Sequence, residues 1–275
     1  MDIRVLGPLS LAVDGQVITP SAAKPRQVLA TLLLHANKVV PVSALIAELW
    51  DDTPPVSALT TLQTYVLQLR RSLRGALAPA SQRVSLEILV TRTGGYLFRV
   101  QPGELDLDAF LEKMAEGRRW LAQGDNELAT RRLGEALDLW SGPALVDIKA
   151  GRLIEAEILH LEECRVAVLE QRIEADLRLG RHHEILAELA GLTAKHRMHE
   201  NLHAQLMVAL YRSGRRPHAL DVFHRLRSAL IDELGLEPSS KMQRLHQALL
   251  SSDPVLDRPL RGDGLLLDQV AIAGC

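Results

Sequence analysis

The amino-acid sequence predicts a mainly α-helical chain with a small β component, built in two parts. Three observations lead there. Residues 1–100 pass from short alternating apolar bursts through three amphipathic segments to a second pair of alternating runs. Residues 104–250 keep helical periodicity in a Leu-, Ala-, Glu- and Arg-rich composition, and three of their segments open on a glycine with the same apolar spacing behind it.

With 275 residues, 47% hydrophobic and 24% charged, the chain is long enough for about two domains, each with its own core. That balance excludes disorder throughout. No run of about 18 apolar residues is present to span a bilayer. Met1-Asp2-Ile3-Arg4-Val5 carries an acid and meets Pro8 at once, so no secretory signal is expected and the cytoplasm is the expected location. Cys164 and Cys275 form neither a disulfide framework nor a zinc spacing. Net charge is near zero but divided. Residues 1–100 hold ten bases against six acids, whereas the remainder holds 22 bases against 28 acids. A basic module joined to an acidic one is the expectation.

Taken in order, Ile3, Val5, Leu9, Leu11, Val13 and Val17 alternate around Asp14-Gly15, the turn of a small antiparallel sheet. Val28, Leu29, Leu32, Leu33 and Ala36 give a helix over 25–36, and Val42, Leu45, Ile46 and Leu49 a second, short one. Asp51-Asp52-Thr53-Pro54-Pro55 breaks it, since proline lacks a donor and forces its predecessor out of helical space. A third helix follows, with Ser57 as its expected cap and Leu62, Val66, Leu69 and Leu73 as its buried stripe. Strands over Leu86–Thr91 and Tyr96–Val100, joined around Gly94-Gly95 with Arg92 at the turn, complete a winged helix-turn-helix.

At about 100° per residue, Thr60, Thr64, Leu67, Gln68 and Arg71 of the third helix lie opposite the stripe, with Thr61 and Arg74 at their flanks. Apart from Leu67, these are side-chain types that read base edges or grip phosphates. A merely solvated face would carry more Glu and Lys, yet no acid occurs from Ser57 to Ala80. Between Arg70 and Arg99 there are six arginines and one acid. Double-stranded DNA is the expected partner.

A boundary is expected at Gln101-Pro102-Gly103, giving domains at 1–100 and 104–250 and a loose tail over 251–275. Within the second, Gly124, Gly180 and Gly214 each precede a small or aliphatic residue by five positions (Ala129, Ile185, Ala219) and an apolar one by nine (Leu133, Leu189, Phe223). The last two glycines are 34 apart, the tetratricopeptide period, while the first interval needs an insertion around Trp140–Gly151.

Val5-Leu6-Gly7-Pro8-Leu9, Lys24-Pro25-Arg26-Gln27-Val28-Leu29-Ala30, Glu48-Leu49-Trp50, Leu62-Gln63-Thr64-Tyr65-Val66, Leu69-Arg70-Arg71-Ser72-Leu73 and Gly95-Tyr96-Leu97 carry a family resemblance. So do Leu206-Met207-Val208-Ala209-Leu210-Tyr211-Arg212-Ser213-Gly214-Arg215 and Glu233-Leu234-Gly235-Leu236-Glu237-Pro238. The chain resembles the Streptomyces antibiotic regulatory protein (SARP) family, two-domain activators of secondary-metabolite gene clusters. The resemblance implies an OmpR-like winged helix, as in two-component effectors, and a tetratricopeptide-like bacterial transcriptional activation domain. It also implies binding to promoter direct repeats, with possible head-to-tail pairing of protomers, and recruitment of RNA polymerase holoenzyme with its sigma factor. The recognition helix maps to Ser57–Leu77 and the wing to Leu86–Val100. Expected DNA contacts are Lys24, Arg26, Thr60, Thr61, Thr64, Gln68, Arg71, Arg74 and Arg92, and the expected polymerase-contacting loop is Asp51, Asp52, Thr53, Pro54 and Pro55. Leu67 departs from the family, which usually has a small polar residue there.

Other chemistry is weaker. Ser21-Ala22-Ala23-Lys24 matches S-x-x-K without the K-T-G and S-D-N partners an acyl-transfer site needs, so a capping serine and a phosphate-contacting lysine are expected instead. No Gly-Lys pair occurs, so no nucleotide-binding P-loop is present. His196, His199 and His203 could share a helix side, but they lack a complete tetrahedral set, and no metal or cofactor is expected. Trp50, Trp120 and Trp140 are of a type that stacks on ligands, but core positions are expected for them. The chain is not expected to be an enzyme. The competing reading is a tetratricopeptide-type adaptor that binds protein without DNA readout.

Overall fold

In the computed structural model, which describes residues 1–77 and 85–257, the chain divides into two units that cut across its linear order. The first joins Met1–Glu112 to Ala136–Val166; the second joins Lys113–Glu135 to the chain from Ala167 onward. Arg83 and the segment after Asp257, with Arg261-Gly262-Asp263 and Cys275, lie outside the described residues.

The first unit opens with β1 (Asp2–Arg4), β2 (Ser10–Val13) and β3 (Gln16–Val17), an antiparallel sheet in that order with Ile3 opposite Leu11 and Val13 opposite Gln16. Asp14 and Gly15, both at positive φ (49° and 82°), make the tight turn that matches strand twist. Ile3, Leu11 and Val13 are buried while Val17 faces solvent, as the alternation requires.

Helix α1 (Ala23–Leu34) carries Pro25 in its first turn, where no intrahelical donor is needed, and buries Val28, Leu29, Leu32 and Leu33 completely. Its cap position is Ala22, not Ser21, and no side chain caps it. After β4 (Val40–Pro41), α2 (Val42–Trp50) ends where Asp51 turns to φ 53°. Helix α3 (Ala58–Ala76) buries Leu62, Val66, Leu69 and Leu73, each at most 3% exposed, and packs them on α1 and α2. Ser57 occupies its cap position, but the hydroxyl makes no capping bond.

The wing differs from expectation at its start. Residues Ser85–Ile88 form one helical turn, α4, and the strand β5 begins only at Leu89 (Leu89–Arg92). It pairs with β6 (Gly95–Phe98), which also pairs with β4 to give the order β4-β6-β5. Gly95 is required there, because a Cβ would run into the Val40 carbonyl.

Helices α5 (Asp106–Ala122), α6 (Asn126–Leu137) and α7 (Arg152–Arg178) follow. The expected insertion has neither helix nor strand over 138–151, and it belongs to the first unit. Ser141 N–H donates to Leu6 O at 2.9 Å, Leu145 N–H to Val5 O at 3.2 Å, and Leu9 N–H to Asp147 Oδ1 at 2.8 Å. Trp140 is buried edge-on against Phe110 at 5.4 Å, a core position.

The second unit continues through α8 (Leu186–Lys195), α9 (Glu200–Arg212), α10 (Arg216–Leu234) and α11 (Ser240–Ser251), then a 3-10 turn over Pro254–Asp257. Helix α9 is its centre, with Leu202 to Leu210 buried and α8, α10 and α11 packed on it. Gly124, Gly180 and Gly214 all turn at φ between 73° and 80°. Every residue five and nine positions beyond them (Ala129, Ile185, Ala219, Leu133, Leu189 and Phe223) is buried, so the repeat in the sequence is a repeat of packed helix turns.

Candidate nucleic-acid interface

The burial of one stripe on α3 fixes what the rest of the helix presents. Thr60, Thr64, Gln68, Arg71 and Arg74 are exposed, Thr61 is half-buried, and Leu67 is 47% exposed among them. Thr64 donates its hydroxyl to Thr60 O at 3.0 Å, which leaves its oxygen as an outward acceptor. Among the described residues no carboxylate pairs with Arg71, Arg74 or Arg92. Unpaired guanidinium groups on an acid-free helix face form an anion-attracting surface.

The wing is held to that helix by a residue the sequence reading passed over. Arg70 is half-buried and turns away from the outer face; its Nε and Nη2 donate to Leu89 O at 3.0 and 2.8 Å, and Nη2 also to Thr91 Oγ1 at 2.8 Å. Beyond that clamp Gly94 O accepts from Val42 N–H at 2.9 Å, which fixes the backbone of the tip and leaves its side chains outward. Arg92 pairs with Gly95 across the turn, and Arg92, Thr93 and Gly94 are all exposed.

Lys24 and Arg26 are engaged differently. The Lys24 amine donates to Leu49 O at 3.1 Å and lies 4.2 Å from the centre of the Trp50 ring. Burial, with the nearby Lys149 charge, pushes its pKa below the ordinary lysine value. Arg26 donates to Pro20 O at 3.2 Å and pairs with Asp147. Both cations are bound within the first unit.

The loop from Asp51 to Val56 is exposed throughout, Val56 completely so. Arg152 bridges its two acids, Nε to Asp51 Oδ1 and Nη2 to Asp52 Oδ2, both at 2.9 Å. Directly behind the loop, Glu48 is only 4% exposed. Its carboxylate accepts from Gly151 N at 2.6 Å, Leu153 N at 2.8 Å and Ile154 N at 3.4 Å, thereby capping the N-terminus of α7. Gln27 Nε2 adds a bond at 3.2 Å. Gly151 must be glycine because a Cβ would strike the Glu48 carbonyl.

The histidines do not form a site. His199 sits at the cap position of α9, and His203 is buried with Nδ1 3.1 Å from His199 O. Among the described residues no group of three or more His, Cys, Asp or Glu is placed to hold a metal ion, and no helix is long and apolar enough to cross a membrane.

Comparison with known proteins agrees with this architecture. Residues 105–250 match the bacterial transcriptional activator domain, and residues 17–98 match the C-terminal domain of transcriptional regulatory proteins. Regulatory protein DnrI of Streptomyces peucetius is 52% identical over 258 residues, which cover 94% of this chain and 95% of DnrI. Transcriptional regulator RedD of Streptomyces coelicolor is 35% identical, with 94% of this chain and 73% of RedD covered. A solved structure of Mycobacterium tuberculosis EmbR, in complex with a low-affinity phosphopeptide, superposes with a TM-score of 0.86 at 32% identity over 99% of this chain and 69% of EmbR. With an OmpR-like winged helix and an activator domain in the same order as these regulators, the chain belongs to the SARP family of transcriptional activators.

Proposed function

We propose that this protein switches on a secondary-metabolite (antibiotic) gene cluster by binding direct repeats in its promoters and holding RNA polymerase holoenzyme, sigma factor included, beside them. The observation that carries the proposal is the exposed, acid-free face of α3 with unpaired Arg71 and Arg74. In this reading α3 enters the major groove, Thr60, Thr61, Thr64, Gln68 and Arg71 meet base edges or phosphates, and Arg92 of the wing lies on the backbone or in the adjacent minor groove. Lys24 and Arg26, held by Leu49 O and Asp147, serve in this reading to brace the first unit, and any contact they make with DNA is secondary to that of α3. Two copies on a direct repeat face the same way, so their contact is head-to-tail and needs no twofold axis.

Polymerase contact is assigned to Asp51-Asp52-Thr53-Pro54-Pro55. Exposed Val56 and Leu59 beside these acids supply the apolar element that a protein interface uses. The acids already pair with Arg152, but exposed pairs of this kind are weakened by water and salt and exchange readily for a partner's cations.

In-vitro transcription at operator-saturating concentration tests both assignments. Full-length protein should raise transcript yield, and Asp51→Ala/Asp52→Ala should bind the promoter normally yet activate weakly. A double variant that activates like wild type removes the loop from the polymerase contact. A full-length protein that only represses removes the activator reading.

A further inference from the structure

Among the DNA-facing side chains of α3, one has no polar atom. Leu67 is 47% exposed, although the four apolar residues of the stripe on the same helix are buried to 3% or better. Isolated exposed leucines are ordinary on protein surfaces, so exposure alone says little. Position says more. On the helix wheel Leu67 lies about 20° from Thr60 on one side and about 20° from Arg74 on the other, and about 40° from Arg71, so polar and basic residues flank it on the acid-free face.

A leucine there cannot bind phosphate or accept a hydrogen bond. Of the groups that base pairs present in the major groove, the C5-methyl of thymine is the bulkiest apolar one. We infer that Leu67 is a specificity-determining residue that packs on a thymine methyl in each half-site, between bases or phosphates held by Thr64 and Arg71. The inference rests on the major-groove reading of α3 proposed above and names one element of the sequence read there.

The test uses full-length protein and the highest-affinity duplex it selects from a randomised pool. Each thymine of that duplex is replaced in turn by deoxyuridine, which removes the methyl and leaves every hydrogen-bonding group in place. Wild type should lose about fourfold in affinity at one thymine per half-site, the value of one methyl-sized group withdrawn from apolar contact. Leu67→Ala should bind the unmodified duplex more weakly by a similar or larger factor and be indifferent to deoxyuridine at that same position. Alanine suits an exposed helical site, so the variant's unfolding midpoint should match wild type.

Coupling between Leu67 and a single thymine supports the inference. If deoxyuridine has the same effect on both proteins at every position, the inference is overturned while sequence-specific binding stands. If no sequence emerges from the pool, the groove reading fails and the inference fails with it.

Discussion

Replacing Glu48 by alanine removes an anion that four donors share. The carboxylate is 4% exposed and makes two short bonds, to Gly151 N at 2.6 Å and Leu153 N at 2.8 Å, besides longer ones to Ile154 N and Gln27 Nε2. Hydrogen bonds to a charged group contribute about 1.5 to 3 kcal/mol each, so the two short ones set an expected loss of about 3 to 6 kcal/mol. Against a total of about 5 to 15 kcal/mol for a typical domain, that is enough to unfold much of the first unit near physiological temperature. Glu48→Gln keeps one acceptor but turns an amide NH₂ toward backbone donors, and should lose about half as much. Urea unfolding of the full chain measures this, with fluorescence of Trp140, buried in the same unit, as the probe. A Glu48→Ala loss under about 1 kcal/mol would refute the claim that this carboxylate fastens α7 and the 138–151 segment to the winged helix.

Three further outcomes are expected. Arg70→Met should leave α3 folded but free the wing from Leu89 O and Thr91, seen as faster amide exchange at Leu89–Arg92 with weaker DNA binding. In the second unit, the bond from Lys113 and then that from Arg132 hold the Glu135 pKa down to about 2. A carboxylate depressed in the folded state stabilises fully above the unfolded value of about 4.5 and loses that contribution as pH falls toward 2, so carboxyl NMR should show a low titration that Lys113→Met raises. A fragment of residues 1–103 should be markedly less stable than the full chain. It lacks Asp106, which accepts from Val5 and Leu6 N–H at 2.9 to 3.0 Å, and loses the Ser141 and Leu145 partners of the same strand end. Urea midpoints decide it, and equal midpoints would contradict the ties described.

What the sequence made legible was periodic. The α3 stripe, the Asp14-Gly15 turn and the glycine-led repeat segments each depend on residues a few positions apart, and each lies where its spacing requires. The outer face of α3 followed from the stripe by geometry alone. What stayed hidden joins residues far apart in the chain. Nothing in the residues around Glu48 signals that its backbone partners lie more than 100 positions away. Nor do Leu49 O and Asp147, the partners of Lys24 and Arg26, leave a periodic trace. Local propensity also misled at Leu86–Ile88, where Leu86-Glu87-Ile88 alternates as a strand does but is short enough to fit a helical turn equally well. Ser21 and Ser57 carry the chemistry of a cap without using it.

The central claim, that the α3 face and the wing tip grip DNA, is tested most directly by how binding depends on salt. Affinity of full-length protein for its selected duplex is measured across a range of salt concentrations, for wild type and for Arg71→Ala/Arg74→Ala/Arg92→Ala. Wild-type log K should fall steeply and linearly with log salt, and each arginine that neutralises a phosphate should account for about 0.9 of the slope. The triple variant should therefore show a slope shallower by up to about 2.7, with an unfolding midpoint unchanged because all three side chains are exposed. A wild-type affinity indifferent to salt, or a triple variant with the wild-type slope, would contradict the account.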